Sequence, residues 1–163
     1  MNTLIVNLLM STLVFYLAYR WLLKPVLHQL NPAAVLTPLL LLHAMRHLGL
    51  MFLATGVTAS TMPWQFAMPA AAGDCVAALL ALLAVTLIQK KSQWAMAAAW
   101  TFSVVGSLDF VSAIALSRIF GAGDYLGGAY WIPAFWVPML LIAHWIIWQV
   151  LFQMRREGKG FAA

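Results

Sequence analysis

The sequence is short of charge. Only 8% of its 163 residues are Asp, Glu, Lys or Arg, whereas 64% are hydrophobic and the mean hydropathy is +0.92. A soluble domain carries about 25% charged residues, so this chain lacks the means to coat a water-facing surface. Cysteine is almost missing. Cys75 stands alone, which excludes an intramolecular disulfide and a CxxC redox pair, and its apolar surroundings suit a small buried filler. The apolar runs show no alternation with a period of two, which argues against a small barrel. The net charge of +5 fits orientation in a membrane better than contact with nucleic acid.

What the chain does have is long apolar runs. Five spans of about 20 residues use up its length, at about 4–23, 35–56, 67–89, 94–119 and 130–152. The expected fold is therefore an all-α membrane protein, a bundle of five transmembrane helices in a single domain over 1–163. Lys24–Pro25 and Asn31–Pro32 break the first run from the second, and Pro63 and Pro69 precede the third. The link Gln89-Lys90-Lys91-Ser92 is so short that helices 3 and 4 must be antiparallel neighbours, and Gly121, Gly123, Gly127 and Gly128 mark the last loop.

The basic residues set the orientation. Arg20, Lys24, Lys90, Lys91, Arg155, Arg156 and Lys159 fall on one side of alternating spans, and only Arg118 and the intraspan Arg46 do not. Positive residues stay cytoplasmic, so the expected topology is N-out/C-in in a bacterial inner membrane. The charges of the first span follow its apolar stretch, unlike those of a cleavable signal peptide. Trp64, Trp94, Tyr130, Trp131 and Trp148 fit an aromatic belt, and Gly73, Ala77, Ala81 and Ala84 form a small-residue stripe for close helix packing.

Ionisable side chains inside a span are costly and usually face the bundle interior. Four successive spans each carry at least one: His43, Arg46 and His47, then Asp74, Asp109 and His144. At about 1.5 Å per residue, the levels of His43 and His144 lie about 12–14 Å from the cytoplasmic ends, and both aspartates about 22 Å. Arg46 lies between these levels and has the reach to bridge them. His43, Arg46, His47 and Leu50 have the spacing of one helix face. Asp74 shares its face with Ala70, Ala77, Ala78 and Ala81, and Asp109 shares its face with Gly106, Ser112 and Ala113. Pro138, at the depth of the aspartates, frees the Ala134 carbonyl.

The stretches HAMRHLGLMFLA, FAMPAAAGD, GSLDF and YWIPAFWVPMLLIAHW, which contain every member of this cluster, resemble those of small bacterial inner-membrane proteins of similar length. The resemblance spans helices 2 to 5 and brings no activity with it.

The leading expectation is a protein that binds or moves a small ligand, an ion or a proton at His43, Arg46, His47, Asp74, Asp109 and His144. Five helices are few for a transporter, so a homodimer goes with that reading. Three alternatives compete with it. One is a b-type haem protein with His43 or His47 and His144 as axial ligands. Another is a membrane enzyme on a lipid-soluble substrate with Asp74 and Asp109 as acid and base. The last is an accessory or structural subunit held in register by the Arg46 ion pair. His43-x-x-x-His47 has metal-ligand spacing, but alone it is too weak to assign a metal. A site that exchanges a ligand needs access, so a cavity is expected beside Asp74, Asp109 and Pro138, reaching toward the glycine-rich loop, with His43 and His144 as its floor.

Overall fold

A chain this apolar satisfies its backbone within helices, because each helix closes its hydrogen bonds internally. The computed structural model describes residues 3–161. Five helices are long and apolar enough to cross a membrane: Thr3–Leu23, Pro32–Leu53, Trp64–Gln89, Ala95–Ile119 and Gly127–Arg156. Their regular α portions are α1 (Thr3–Ala18), α2 (Pro32–Ala44), α3 (Trp64–Gln89), α4 (Ala95–Ile119) and α5 (Val137–Arg156).

The boundaries differ from the sequence expectation for local reasons. α2 starts at Pro32, not at residue 35, because the Asn31 side chain accepts a 2.8 Å hydrogen bond from the Ala33 N–H and proline suits the first helical position. After Ala44 the second span tightens into a 3₁₀ segment, Met45–Leu53. α3 starts at Trp64 and runs through Pro69, whose missing N–H forfeits only a bond to the exposed Gln65 near the helix start. Before α5, a π turn at Ile132–Trp136 lets the Val137 N–H reach back to the Ile132 carbonyl. That wider turn relieves the clash the Pro138 ring would make with the Ala134 carbonyl.

α3 is the central element, packed against α4, the 3₁₀ segment and α2. Ala77, Ala81 and Ala84 are fully buried along it, so the small-residue stripe is where neighbouring helices approach closely. α1 lies on the outside against α5 and the π turn, and none of its described residues is buried. It is attached mainly by aromatic contacts, Phe15 on Phe135 at 5.3 Å and Tyr16 on Trp145 at 6.0 Å.

The interior divides into three levels along the helix axes. Toward the end that carries Lys90, an apolar core gathers Leu36, Leu40, Ala81, Ile147 and Leu151. Toward the end that carries Gly127, a second core gathers Phe52, Phe66, Ala70, Ala129 and Ile132. Between them lies a buried polar level with His43, Arg46, Ser103 and His144.

At the Gly127 end two loops clasp each other. The Gly128 N–H donates to the Val57 carbonyl at 2.6 Å, and the Ala59 N–H donates to the Tyr125 carbonyl at 2.9 Å. Gly127 has φ +49°, and a Cβ there would sit 2.5 Å from the Val57 oxygen. Gly127→Ala should therefore cost about 1–3 kcal/mol of stability in detergent. Gly123→Ala is the control, since a Cβ there meets only the Leu4 side chain at an ordinary 3.5 Å. Equal melting temperatures for the two variants would show that the clasp does not constrain the fold.

Candidate functional site

The change of winding at Ala44 decides which side chains of the second span turn inward. A 3₁₀ helix repeats every three residues, and Arg46, Gly49 and Phe52 are buried while His47, Leu50 and Leu53 are exposed. The expected shared face of His43, Arg46, His47 and Leu50 assumed α-helical spacing and does not form. His47 points outward, its Nδ1 3.1 Å from the carbonyl of Ala44, so it is separated from the cluster. The His43-x-x-x-His47 pair is broken for the same reason.

Arg46 joins three helices. Its Nε donates to Asp74 Oδ1 at 2.7 Å, and its Nη2 donates to Asp109 Oδ2. A long contact of 3.5 Å runs from Nη1 to the Gly106 carbonyl, and the guanidinium lies 4.0 Å from the centre of the Phe110 ring. The side chain of Arg46 is 1% exposed, against 19% for Asp74 and 11% for Asp109. Any exchange with the surroundings therefore falls to the carboxylates.

Glycines make this convergence possible, and each receives a charged or polar side chain from its neighbours. A Cβ at Gly49 would overlap the Asp74 carboxylate, and a Cβ at Gly73 would overlap that of Asp109. At Gly106 it would press on His144 Cε1 at 3.1 Å and approach Arg46 Nη1 at 3.5 Å. The 3₁₀ segment, α3 and α4 thus each supply one charge of the triad and one glycine that makes room for another helix's polar group. Sequence reasoning placed Gly73 and Gly106 on the right faces but passed over Gly49. Its signal was its position three residues after Arg46, which becomes meaningful only in a three-residue turn.

The two histidines meet on the Lys90 side of the triad. His43 is fully buried, its ring centre 5.0 Å from that of His144 and 5.1 Å from that of Phe102. His144 Nε2 lies 3.0 Å from both the Ser103 carbonyl and Ser107 Oγ. Ser107 Oγ donates to the Ser103 carbonyl at 2.8 Å and accepts the Trp148 indole N–H at 3.1 Å. This network fits a His144 tautomer that donates from Nε2 to Ser103 and keeps the Nδ1 lone pair free. Among the described residues His144 Nδ1 has no hydrogen-bond partner, and neither ring nitrogen of His43 makes a bond of normal geometry, the Leu140 carbonyl being only a weak polar neighbour. Ser103, Ser107 and Trp148 were not singled out for this role. Ser112, expected beside Asp109, is exposed and bonds back to the Leu108 carbonyl.

The rings do not fit a haem. Axial ligation needs the two imidazoles on opposite sides of a flat slot, and here they touch each other and the edges of Phe102 and Phe110. Among the described residues no three His, Cys, Asp or Glu side chains converge as a metal site requires. The cleft at the Gly127 end, about 330 Å³, is lined by Phe52, Thr55, Thr58, Trp64 and Ala67 and lies beyond the carboxylates instead of beside them. The space beside the Gly49 and Gly73 backbones is filled by the Asp74 and Asp109 carboxylates.

With this geometry in place, the comparisons give a family. The chain belongs to the family described as domain of unknown function DUF8737, which matches residues 3–152. No curated protein and no solved structure matches it.

Removing one partner of a buried ion pair typically costs about 3–5 kcal/mol. Arg46→Ala, which strands two carboxylates, should lower the melting temperature far more than Asp109→Asn, which leaves Arg46 and Asp74 as a balanced pair. Gly73→Ala should also destabilise, and by less in an Asp109→Ala background, where the overlapping carboxylate is gone. Equal costs of Gly73→Ala in both backgrounds would show that Asp109 does not occupy that space.

Proposed function

We propose that this chain is a multi-pass protein of the bacterial inner membrane, N-out/C-in, whose Arg46–Asp74–Asp109 cluster binds a proton and exchanges it with the His43–His144 pair. The observation that carries this reading is the count of charges. One guanidinium faces two carboxylates, a net of −1 when all three are ionised, at a level bounded by apolar cores on both sides. Uncompensated charge is expensive in such surroundings. A proton is the one ligand small enough to neutralise it where Gly49, Gly73 and Gly106 are already filled. Among the described residues the imidazole nitrogens beside the triad, both of His43 and Nδ1 of His144, have no hydrogen-bond partner, and these are the atoms to which the proton would pass.

Orientation rests on Arg20 and Lys24 after the first span, Lys90 and Lys91 between the third and fourth, and Arg155 and Arg156 at the end of the fifth. Movement of a proton right across the membrane would require both apolar cores to open, and a homodimer would supply the second half such a motion works against. The two cores also favour a second reading, a structural subunit whose ion cluster only fixes helix register. An acid–base enzyme is less well supported, because both carboxylates are engaged by Arg46.

Infrared difference spectra in lipid nanodiscs separate the two readings. A protonated-carboxyl C=O band should vanish as pH rises and be missing in Asp109→Asn or Asp74→Asn, with His144→Ala changing its pH dependence while the fold survives. If no carboxyl titrates while the protein stays folded, the structural reading replaces this one. Orientation has its own check in a Cys75→Ala background. An impermeant thiol reagent should label Gly123→Cys from outside intact cells and leave Ser92→Cys untouched, and the reverse pattern would invert the topology.

A further inference from the structure

The 3₁₀ segment runs from the level of the carboxylates toward the cleft at the Gly127 end. Arg46, Gly49 and Phe52 stand on one buried line, and each three-residue turn advances about 6 Å. Gly49 touches the Asp74 carboxylate, so Phe52 sits one turn beyond it toward the Gly127 end. On the facing helix, Ala67, Ala70 and Asp74 follow each other at helical spacing, with Ala67 and Ala70 buried. Phe52 and Ala67 are also the buried members of the wall of the 330 Å³ cleft, whose outer rim is the exposed Trp64 together with Thr55 and Thr58. Along the 3₁₀ segment Phe52 thus stands between the level of Asp74 and the cleft, its ring packed edge-on against Phe66 at 5.2 Å.

We propose that this cleft is the aqueous mouth of the ionic cluster and that Phe52 is the residue that closes it. The occupant is water with its protons. Among the described residues no ionisable side chain lines the cleft to select a charged solute, while Thr55, Thr58 and Ser60 offer hydroxyls and the volume holds about ten waters. The surrounding loop is tied by the Val57–Gly128 and Ala59–Tyr125 backbone bonds, which leaves rotation of the ring as the movement that opens the passage. The opposite approach is filled by the apolar core of Leu36, Leu40, Ala81, Ile147 and Leu151. This inference rests on the cluster being a proton site, and its role is to give that site a single side of access.

The test measures thiol access in a Cys75→Ala background with a small, charged methanethiosulfonate reagent. Ala70→Cys reports from between Phe52 and Asp74, and Ala81→Cys reports from the core beyond the cluster. Phe52→Ala should speed modification of Ala70→Cys by about tenfold or more, because a buried thiol reacts through its open population. Ala81→Cys should stay unreactive with either residue at 52. An unchanged rate at Ala70→Cys overturns the proposal, as does an equal rise at Ala81→Cys, which would signal general loosening. If Phe52→Ala does not fold, Phe52→Leu is read the same way, with a smaller expected rise, and no rise again overturns it. Proton binding does not enter this readout. Faster labelling without a titrating carboxyl would keep the mouth and remove the proton site, and the converse result would do the opposite.

Discussion

One buried guanidinium shared by two carboxylates is the constraint from which the rest of this interior follows. A charge held at the centre of an apolar bundle must find partners there, and Arg46 finds them on two different helices. Its backbone comes close to α3, its long side chain spans to Asp109 on α4, and Gly49, Gly73 and Gly106 make room for the polar groups that converge there. Phe110 then covers the guanidinium face, and the histidine rings fill the space toward the Lys90 end. None of this is the cheapest way to hold helices together. Apolar side chains of similar volume often stabilise a core as well as or better than a buried ion pair.

Much of the arrangement could be read from the sequence because α-helical rise is fixed. Counting residues from the basic ends put Asp74 and Asp109 at one level, His43 and His144 at another, and Arg46 between them, which is how the side chains meet. The same regularity misled at His47, where the winding changes from 3.6 to 3.0 residues per turn within HAMRHLGLMFLA and carries that side chain outward. Nothing in the composition of that stretch announces the change. Gly49 is its weakest helix former, and a lone glycine inside a helical pattern more often means packing than a new period. Where a cavity opens is not legible in spacing at all, because whether side chains leave a void depends on contacts of a few tenths of an ångström.

The two polar layers have different characters. The triad is fully engaged, each formal charge meeting an opposite one. The histidine pair is under-engaged, with His144 bonded on one side only and His43 in contact chiefly with aromatic rings. His144 Nε2 is held by the Ser103 backbone carbonyl and by the Ser107 hydroxyl, which itself donates to that carbonyl, so the ring is positioned without being neutralised. A ring fixed on one nitrogen and bare on the other is an acceptor held ready, whereas a ring retained only for packing gains nothing from the serines. Leucine would fill the same volume and leave no nitrogen unpaired.

The proportion of charges separates a scaffold from a proton site more sharply than burial does. A cluster kept only for helix register would be most stable when balanced, one cation to one anion, and either aspartate alone would serve. The second carboxylate adds a cost that grows with the dryness of its surroundings, unless a proton is bound there. Its position also matters: both carboxylates keep a little exposure while the guanidinium has almost none. The excess negative charge thus sits on the two groups of the triad that keep accessible surface. A register device needs neither the surplus charge nor that placement. A group that takes up and releases a proton needs both.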